Sequence, residues 1–530
     1  MKKQSFILVI AFLTIGFSNA QSIQWQKSLG GSFEEHMDGD KLIKQTPDGG
    51  YAVAGTSGSG NGDVTFNHGP HDFWFVKLNA NGGIQWQKTY GSTTIEICNG
   101  MSLTSDGGYI LAGYSVGNDG DVTGNHGQED YWVVKIDSVG TLQWQKSLGG
   151  SDNDKAWGVG QSSDGSYYVT GGSESNDGDV TGNHGQDCWI VKLSSSGNLL
   201  WQKAIGGSGF DEMFSLVTTS DGGCVVGGYT TSTDGDVVGN HGQSDLWMVK
   251  MDSTGIIQWQ KCYGGSSGEQ PNGFIIISVT QTADNGFILA GETGSTDGDV
   301  TGTMGHIWLV KTDSVGTMQW QKRLGGTSDD EVNSITQTSD GGYVIVGYTW
   351  STDGDITVAN YSLNDYFVMK VNNVGTPQWQ THLGGSGDEF PSSIIQTTDG
   401  GYLVGGISWS NDFDVTGNHG FGDYWIVKLS ATVGMEEDII ENGIGVYPNP
   451  FTEQTTINFT DASTSSATHH TIKIMDVIGR EIKTINFSGK QCVIEKGEMN
   501  AGVYFIRIVS TGSTTDGSPT NVVNRKVIVN

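Results

Sequence analysis

Carboxylates recurring at a fixed place are the residues of this 530-residue chain best suited to chemistry. A segment of the form S-x-D-G-D-V-T-G-N-H-G sets Asp63, Asp121, Asp179, Asp236, Asp299, Asp355 and Asp414 at one repeat position. A second acidic segment follows each L-G-G-S, with Glu34 and Glu35, Asp211 and Glu212, Asp329 to Glu331, and Asp388 and Glu389 among its members. Acidic oxygens interleaved with glycine and backbone carbonyls suit Ca²⁺, a hard ion that takes about six to eight oxygens. The spacing is not that of an EF-hand and lacks its terminal glutamate. The preferred reading is that each Asp caps its own turn through a side-chain hydrogen bond. The histidines of N-H-G (His68, His126, His184, His241, His419) occur one per repeat. Zinc needs ligands converging on one point, so these are expected to bond to neighbouring loops instead. No H-E-x-x-H element is present. Catalytic and metal-binding residues are therefore assigned to none, and no cofactor is expected beyond Ca²⁺ as a candidate.

Three tryptophans, Trp157, Trp350 and Trp409, stand outside any repeat position. Trp350 and Trp409 each precede the loop carboxylate (Asp355, Asp414) by the same interval, in the last two repeats. An aromatic presented on a loop by two successive repeats can stack on sugar rings or on a partner's side chains. These two are the ligand-binding candidates, with local packing as the competing reading.

The elements that must hold these loops are legible from the other tryptophans. The tryptophan of Q-W-Q or L-W-Q recurs at Trp25, Trp86, Trp144, Trp201, Trp259, Trp320 and Trp379, spaced 57 to 61 residues apart. A W-x-V-K-like segment carries Trp74, Trp132, Trp189, Trp247, Trp308 and Trp425, with Phe367 in the remaining copy. Periods of this length mark propellers, solenoids or arrays. One copy reads as four short strands: Val332 to Thr338, the Asp340-Gly341 turn, Tyr343 to Tyr348, a long loop, Asp365 to Val371, a turn at Gly375, and Gln378 to Leu383. The phase matters most. Residues 23–29 form a fourth strand with no first three before it, and the last copy stops after its third strand, 423–429. A surplus strand at one end and a gap at the other predict a ring closed by the N-terminal strand, which removes exposed sheet edges. The expected fold is all-β, a seven-bladed β-propeller followed by a small Ig-like β-sandwich. The tryptophans of the repeat then pack between sheets. The repeated lysines, such as Lys135 and Lys146, read as strand-edge and surface devices. Long loops between second and third strands, and between successive repeats, share one face, which is where a ligand site belongs.

Composition narrows the partners. Formal net charge is −31, and Arg323 is the sole arginine before residue 430. Nucleic acid and anionic membranes are excluded as partners, since both need a basic patch. Five cysteines share no repeat position, so no disulfide framework is expected. Residues 1–20 read as a signal peptide: Lys2 and Lys3, an apolar run from Phe6 to Phe17, and Ser18-Asn19-Ala20 before the cleavage point. No other segment is apolar enough for a membrane helix. The remaining divisions are a propeller over 21–430, a linker over 431–444 and a tail domain over 445–530.

Resemblance adds to this reading. The double glycines Gly171-Gly172, Gly227-Gly228 and Gly405-Gly406, each followed by a tryptophan, are similar to kelch repeats, and the D-G-G-Y-x-V-x-G element resembles delta-sixty-type propeller repeats of secreted bacterial proteins. Sialidase-type propellers are excluded by counting. Asp179 occupies the place where their box needs glycine, and one arginine cannot make their cluster. The tail, with Val446-Tyr447-Pro448-Asn449-Pro450-Phe451 and G-V-Y-F-I-R-I from Gly502, resembles the type A C-terminal sorting domain of the type IX secretion system of Bacteroidetes. The resemblance implies recognition by the type IX machinery, passage through the outer membrane, and an extracellular or outer-surface location. The function expected is a non-catalytic binding or adhesion propeller with carbohydrate or a cell-surface protein as partner. The alternative is an extracellular glycan-active enzyme using acidic residues of the loop-rich face.

Overall fold

The computed structural model describes residues 21–269, 276–302, 304–358 and 364–433, and strands with their near neighbours between 444 and 529. The expected signal peptide at 1–20, most of the expected linker, and Pro448 to Phe451 lie outside the described residues. The chain divides into two compact units, Met1–Val433 and Gly434–Asn530. Every regular element among the described residues is a β-strand.

The first unit holds seven antiparallel sheets, numbered here in chain order. Sheet two is typical: Glu96–Leu103, Tyr109–Ser115, Asp130–Ile136 and Leu142–Leu148 follow one another as a meander. Sheets three to six begin at Asp154, Asp211, Ser278 and Asp330, and sheet seven at Glu389. The first strand of each sheet packs against the first strand of the next, and Glu389–Gln396 of sheet seven returns to Ile43–Gln45 of sheet one. This circle of four-stranded sheets is the arrangement of a β-propeller. Sheet seven takes its fourth strand from the opposite end of the chain. Gln21–Leu29 pairs antiparallel with Asp423–Val433, from Gln21 opposite Val433 to Leu29 opposite Tyr424. Residues 431–433, expected to begin the linker, extend that third strand instead, because Gln21 and Ser22 supply it with partners.

Two sets of tryptophans hold the circle. The W-x-V-K set (Trp74, Trp132, Trp189, Trp247, Trp308, Trp425) has no exposed surface. Burying a tryptophan removes roughly 150–250 Å² from water, worth ~4–6 kcal/mol at the usual coefficient. Each indole N–H would be orphaned there, and each donates to a glutamine on the adjoining fourth strand, as Trp132 does to Gln145 Oε1 at 2.9 Å. The Q-W-Q set sits over the turn glycine of the following sheet. Gly140 has φ +80°, and a Cβ there would lie 2.6 Å from the Trp86 ring. Glycine is thus required both for its backbone and for the approach of the indole.

The lysine reading needs correction for one set. Lys77, Lys135, Lys192, Lys250, Lys311, Lys370 and Lys428, on the third strands, are at most 5% exposed. Each pairs with the aspartate of its own Asp-Gly or Asp-Asn turn, for example Lys250 with Asp221 at 2.8 Å. Their ammonium groups also reach backbone carbonyls, as Lys135 Nζ does Ile136 O at 2.9 Å. A charge so deeply placed stays only because it is paired and hydrogen-bonded. They are internal staples between the first and last hairpins of a sheet.

In the second unit, Ile444–Tyr447, Gln454–Phe459 and Gln491–Glu495 form one sheet. Glu481–Ser488, His469–Met475, Gly502–Thr511 and Asn521–Val529 form the other. Ile457, Ile472, Ile474, Ile494, Ile506 and Ile508 from both sheets share one core. All five cysteines are free and buried.

Candidate functional site

On the loop-rich face, each joint between sheets is built from two carboxyls. One opens a first strand (Glu35, Glu96, Asp154, Asp211, Asp330 and Glu389) or, as Glu269, precedes it, and all are at most 1% exposed. It collects donors from the preceding glycine loop and from the hydroxyls closing the second strand. Asp211 accepts from Gly207 N and Ser232 Oγ, at 2.8 and 2.7 Å. The other opens the third strand of the sheet before, and holds the N-H-G histidine. His241 Nδ1 lies 2.6 Å from Asp245 Oδ2, and His419 Nδ1 2.7 Å from Asp423 Oδ2. The two carboxyls flank one glycine: a Cβ on Gly149 would meet Asp154 Oδ2 at 2.6 Å and Asp130 Oδ1 at 2.8 Å. Burial pushes Glu35 and Glu269 up to about 7 and Asp154 to about 6; hydrogen bonds oppose this, and the facing carboxylate adds to it.

The five repeated histidines therefore bond first within their own sheet, at Nδ1. Three also look toward the next sheet's loop carboxylate: His68 Nε2 is 3.8 Å from Asp121, His126 3.9 Å from Asp179, and His419 3.9 Å from Asp63. The loop aspartates act on turns. Asp119 Oδ1 accepts from Thr93 N at 2.8 Å, and Asp177, Asp234, Asp297, Asp353 and Asp412 repeat the contact with the residue after an L-G-G, I-G-G or Y-G-G element. Sheet five breaks the scheme. It has His306 where other sheets have the third-strand aspartate, and Arg323 fills the space, donating to Gly305 O, Ser295 O and Gly302 O. On the second strand of the same sheet Glu292 is fully buried with neither carboxyl oxygen hydrogen-bonded, and burial followed by the charge of Glu331 pushes it up to about 9.

The axis of the circle carries a feature the repeat does not announce. The first strand of sheet one is split into Glu35–His36 and Ile43–Gln45, and the segment between them crosses the centre. Asp40 accepts from Ser215 Oγ (2.8 Å) and Ser278 Oγ (3.0 Å) at Oδ2, and from Ser334 Oγ (3.0 Å) at Oδ1. Lys41, at φ +66°, donates to Ser215 Oγ, Leu216 O and Val279 O. Leu42 N reaches Ser393 Oγ, and Gly39 lies against Asn99. Sheets two, four, five, six and seven are thus tied to one segment of sheet one, and the channel is plugged at this level. The spacing carried the signal. From the strand-opening acid to the next turn threonine or serine there are eight positions in most repeats, but eleven from Glu35 to Thr46 and thirteen from Glu269 to Thr282.

Trp350 and Trp409 both stand on the loop-rich face, on sheets six and seven. Trp350 is 49% exposed, and its indole N–H donates to Asn364 Oδ1 at 2.6 Å. Asn364 Nδ2 donates in turn to Asp388 Oδ1, and Asp388 O accepts from Trp409 N. Trp409 is half-buried, edge-on to Phe390 at 5.7 Å and with its ring over Gly422. The two are linked by a hydrogen-bonded chain, not by ring contact. Sequence reasoning overlooked the phenylalanines that extend this surface. Phe413 and Phe421 of sheet seven and Phe33 of the adjoining loop are 67%, 61% and 61% exposed. Phe413 replaces the glycine of D-G-D at φ +51°, a conformation glycine adopts freely and phenylalanine does not.

Fold and tail together define a chain with a propeller-like unit and a secretion tail. Residues 445–524 match the family described as secretion system C-terminal sorting domain. That domain marks the chain for export by the type IX system to the cell surface or the medium beyond it. No helix among the described residues is long and apolar enough to cross a membrane. Over 398 residues the chain is 24% identical to the regulatory protein FlaEY of Caulobacter vibrioides, covering 67% of this chain and 41% of that one. It therefore spans about two fifths of the length of the curated relative it matches. Among solved structures, the extracellular domain of BT4673 from B. thetaiotaomicron is 10% identical, with a TM-score of 0.41, over 96% of this chain and 58% of that chain. PorZ, a surface component of the type IX secretion system of Porphyromonas gingivalis, is 9% identical with a TM-score of 0.21, over 95% and 100%. Likeness at these scores carries no argument about activity.

Proposed function

We propose that the first unit is a seven-bladed propeller that binds, without catalysis, a carbohydrate or a cell-surface protein through its loop-rich face. The type IX tail delivers it to where such partners are met. The observation that supports this reading is the set of exposed rings Trp350, Phe413, Phe421 and Phe33, with half-buried Trp409, on loops of sheets six, seven and one. Exposed rings on hydrogen-bonded loops supply flat apolar area with little conformational freedom left to lose. The carboxylates around them cap turns or sit buried in pairs, so they serve the scaffold before any substrate. The glycan-active alternative would need two carboxyls open to solvent across a cleft.

A glycan array and a pull-down of surface proteins with wild-type, Trp350→Ala and Trp409→Ala chains test the reading. Binding that falls at least tenfold in Trp350→Ala supports it; undiminished binding in both variants rejects the aromatic site. Turnover of any polysaccharide, abolished by one carboxylate substitution on this face, would replace it with the enzymatic alternative.

A further inference from the structure

Where the chain enters the axial segment, four side chains with metal-binding chemistry gather. Glu35–His36 is a short strand, and burial alternates along Glu34-Glu35-His36-Met37-Asp38. Glu35 and Met37 are buried, while Glu34, His36 and Asp38 face the accessible side. His36 lies opposite Thr56 in sheet one, and His71 stands immediately before the third strand of the same sheet. Both depart from the repeat. The place of His36 is held elsewhere by Ile97, Lys155, Glu212, Glu331 and Phe390, and that of His71 by Glu129, Gln186, Ser244, Asn364 and Gly422.

Their geometry is that of a pair awaiting a common partner. The two imidazole centroids are 5.7 Å apart with planes at 61°. Two histidines on one tetrahedral zinc, with Zn–N of about 2.0–2.1 Å, hold their centroids ~5 Å apart. His36 Nε2 is 3.7 Å from Glu34 Oε2, against ~3.3 Å between ligand atoms in such a site. His71 Nδ1 is buried with no hydrogen-bond partner. An orphaned buried nitrogen demands an explanation, since nearly all such atoms are satisfied. No three such groups among the described residues stand placed to hold a metal ion as they are, so side chains must rotate for a site to form.

We propose that His36 and His71, with Glu34 and Asp38 supplying oxygen, bind a divalent transition metal such as Zn²⁺ at the entrance to the plugged channel. Two nitrogens favour zinc, cobalt or copper over calcium. This site is separate from the repeated N-H-G histidines, whose Nδ1 atoms are already engaged with aspartate.

The test is titration of the full mature chain with ZnCl₂ by calorimetry, and with CoCl₂ by absorption, for wild type, His36→Ala, His71→Ala and Glu34→Gln. Wild type should bind one more metal equivalent than either histidine variant, with a cobalt d–d band that both variants lose. Glu34→Gln should weaken that equivalent by about tenfold or more. Melting curves without metal establish that each variant is folded; if His71→Ala is not, His36→Ala alone decides. Equal stoichiometry in wild type and His36→Ala overturns the proposal, as does absence of zinc binding by wild type. Metal retained on His469 or His470 of the tail would be common to all variants and leaves the difference unaffected.

Discussion

Asp40 of sheet one and Ser334 of sheet six, 294 residues apart in sequence, meet across the propeller axis at 3.0 Å. Ser215 and Ser278 share the same carboxylate, and Lys41 ties the opposite side of the segment to Ser215, Leu216 and Val279. A carboxylate with three hydroxyl donors, 4% exposed, acts as a hub.

Asp40→Ala should therefore destabilise the propeller by about 2–4 kcal/mol. Three hydroxyls lose their acceptor and Lys41 loses its neighbouring charge. Chemical denaturation of wild type and variant measures this; a change under about 0.5 kcal/mol would show that the segment merely occupies the channel. Ser334→Ala should cost about 1 kcal/mol, as a single hydroxyl bond does.

Much of this architecture was legible in the sequence because the relevant signals are local or periodic. The Asp-Gly turns, the alternation of each strand and the tryptophan period are of that kind. The pairing of Gln21–Leu29 with Asp423–Val433 followed from phase alone. What escaped depends on contacts that periodicity averages away. Lys135 reads as a surface charge until Asp106 reaches it from a turn 29 residues earlier. Asp40 and Lys41 read as one more acidic loop until five other sheets surround them. In the site, Trp350 was visible as a departure from the repeat. Phe33, Phe413 and Phe421 were departures as well, but a phenylalanine in a β-protein is ordinarily core, and only exposure distinguishes them.

Ring closure predicts a strong length dependence at the N-terminus. A chain beginning at Gly30 lacks the strand that covers Asp423–Val433, and leaves Trp425 Nε1 without Gln26. The exposed edge should promote association between chains. Light scattering and melting of the truncated protein should show oligomers and a lowered midpoint. A monomer melting as the chain from Gln21 does would mean that closure contributes nothing to stability.

Stability should fall as pH rises from about 5 to 8. Burial raises Glu35 and Glu269 to about 7, so the folded state binds their protons more tightly than the unfolded chain, where glutamate titrates near ~4.3. The stabilisation is complete below the unfolded value and is lost as pH climbs through the folded one. His419 acts in the same direction: burial opposes its charge, but the hydrogen bond and charge of Asp423 prevail and raise it. Carboxylates such as Asp48, lowered to about 2 by Thr46 and then Lys77, work oppositely, and their contribution disappears only in stronger acid. The melting midpoint should thus peak in mild acid and drop by a few degrees by pH 8. Glu35→Gln should flatten that slope, and a midpoint independent of pH would contradict the assignment.

Calcium is the remaining question on the loop-rich face. Asp177 spends Oδ1 on Ser151 N at 2.7 Å, and Asp179 N bonds to Gly149 O at 2.8 Å. One oxygen of Asp177 is thus already engaged in holding the preceding glycine loop. We therefore propose that these aspartates serve as turn caps, and that the mature chain melts at the same temperature in excess EDTA as in millimolar CaCl₂. Asp177→Asn should be nearly neutral, since an amide oxygen still accepts from Ser151 N, whereas Asp177→Ala should cost about 1 kcal/mol. A rise of several degrees with calcium, abolished by Asp177→Asn, would transfer these loops from turn caps to ion ligands, because the neutral amide keeps the cap but surrenders the charge that a calcium site needs.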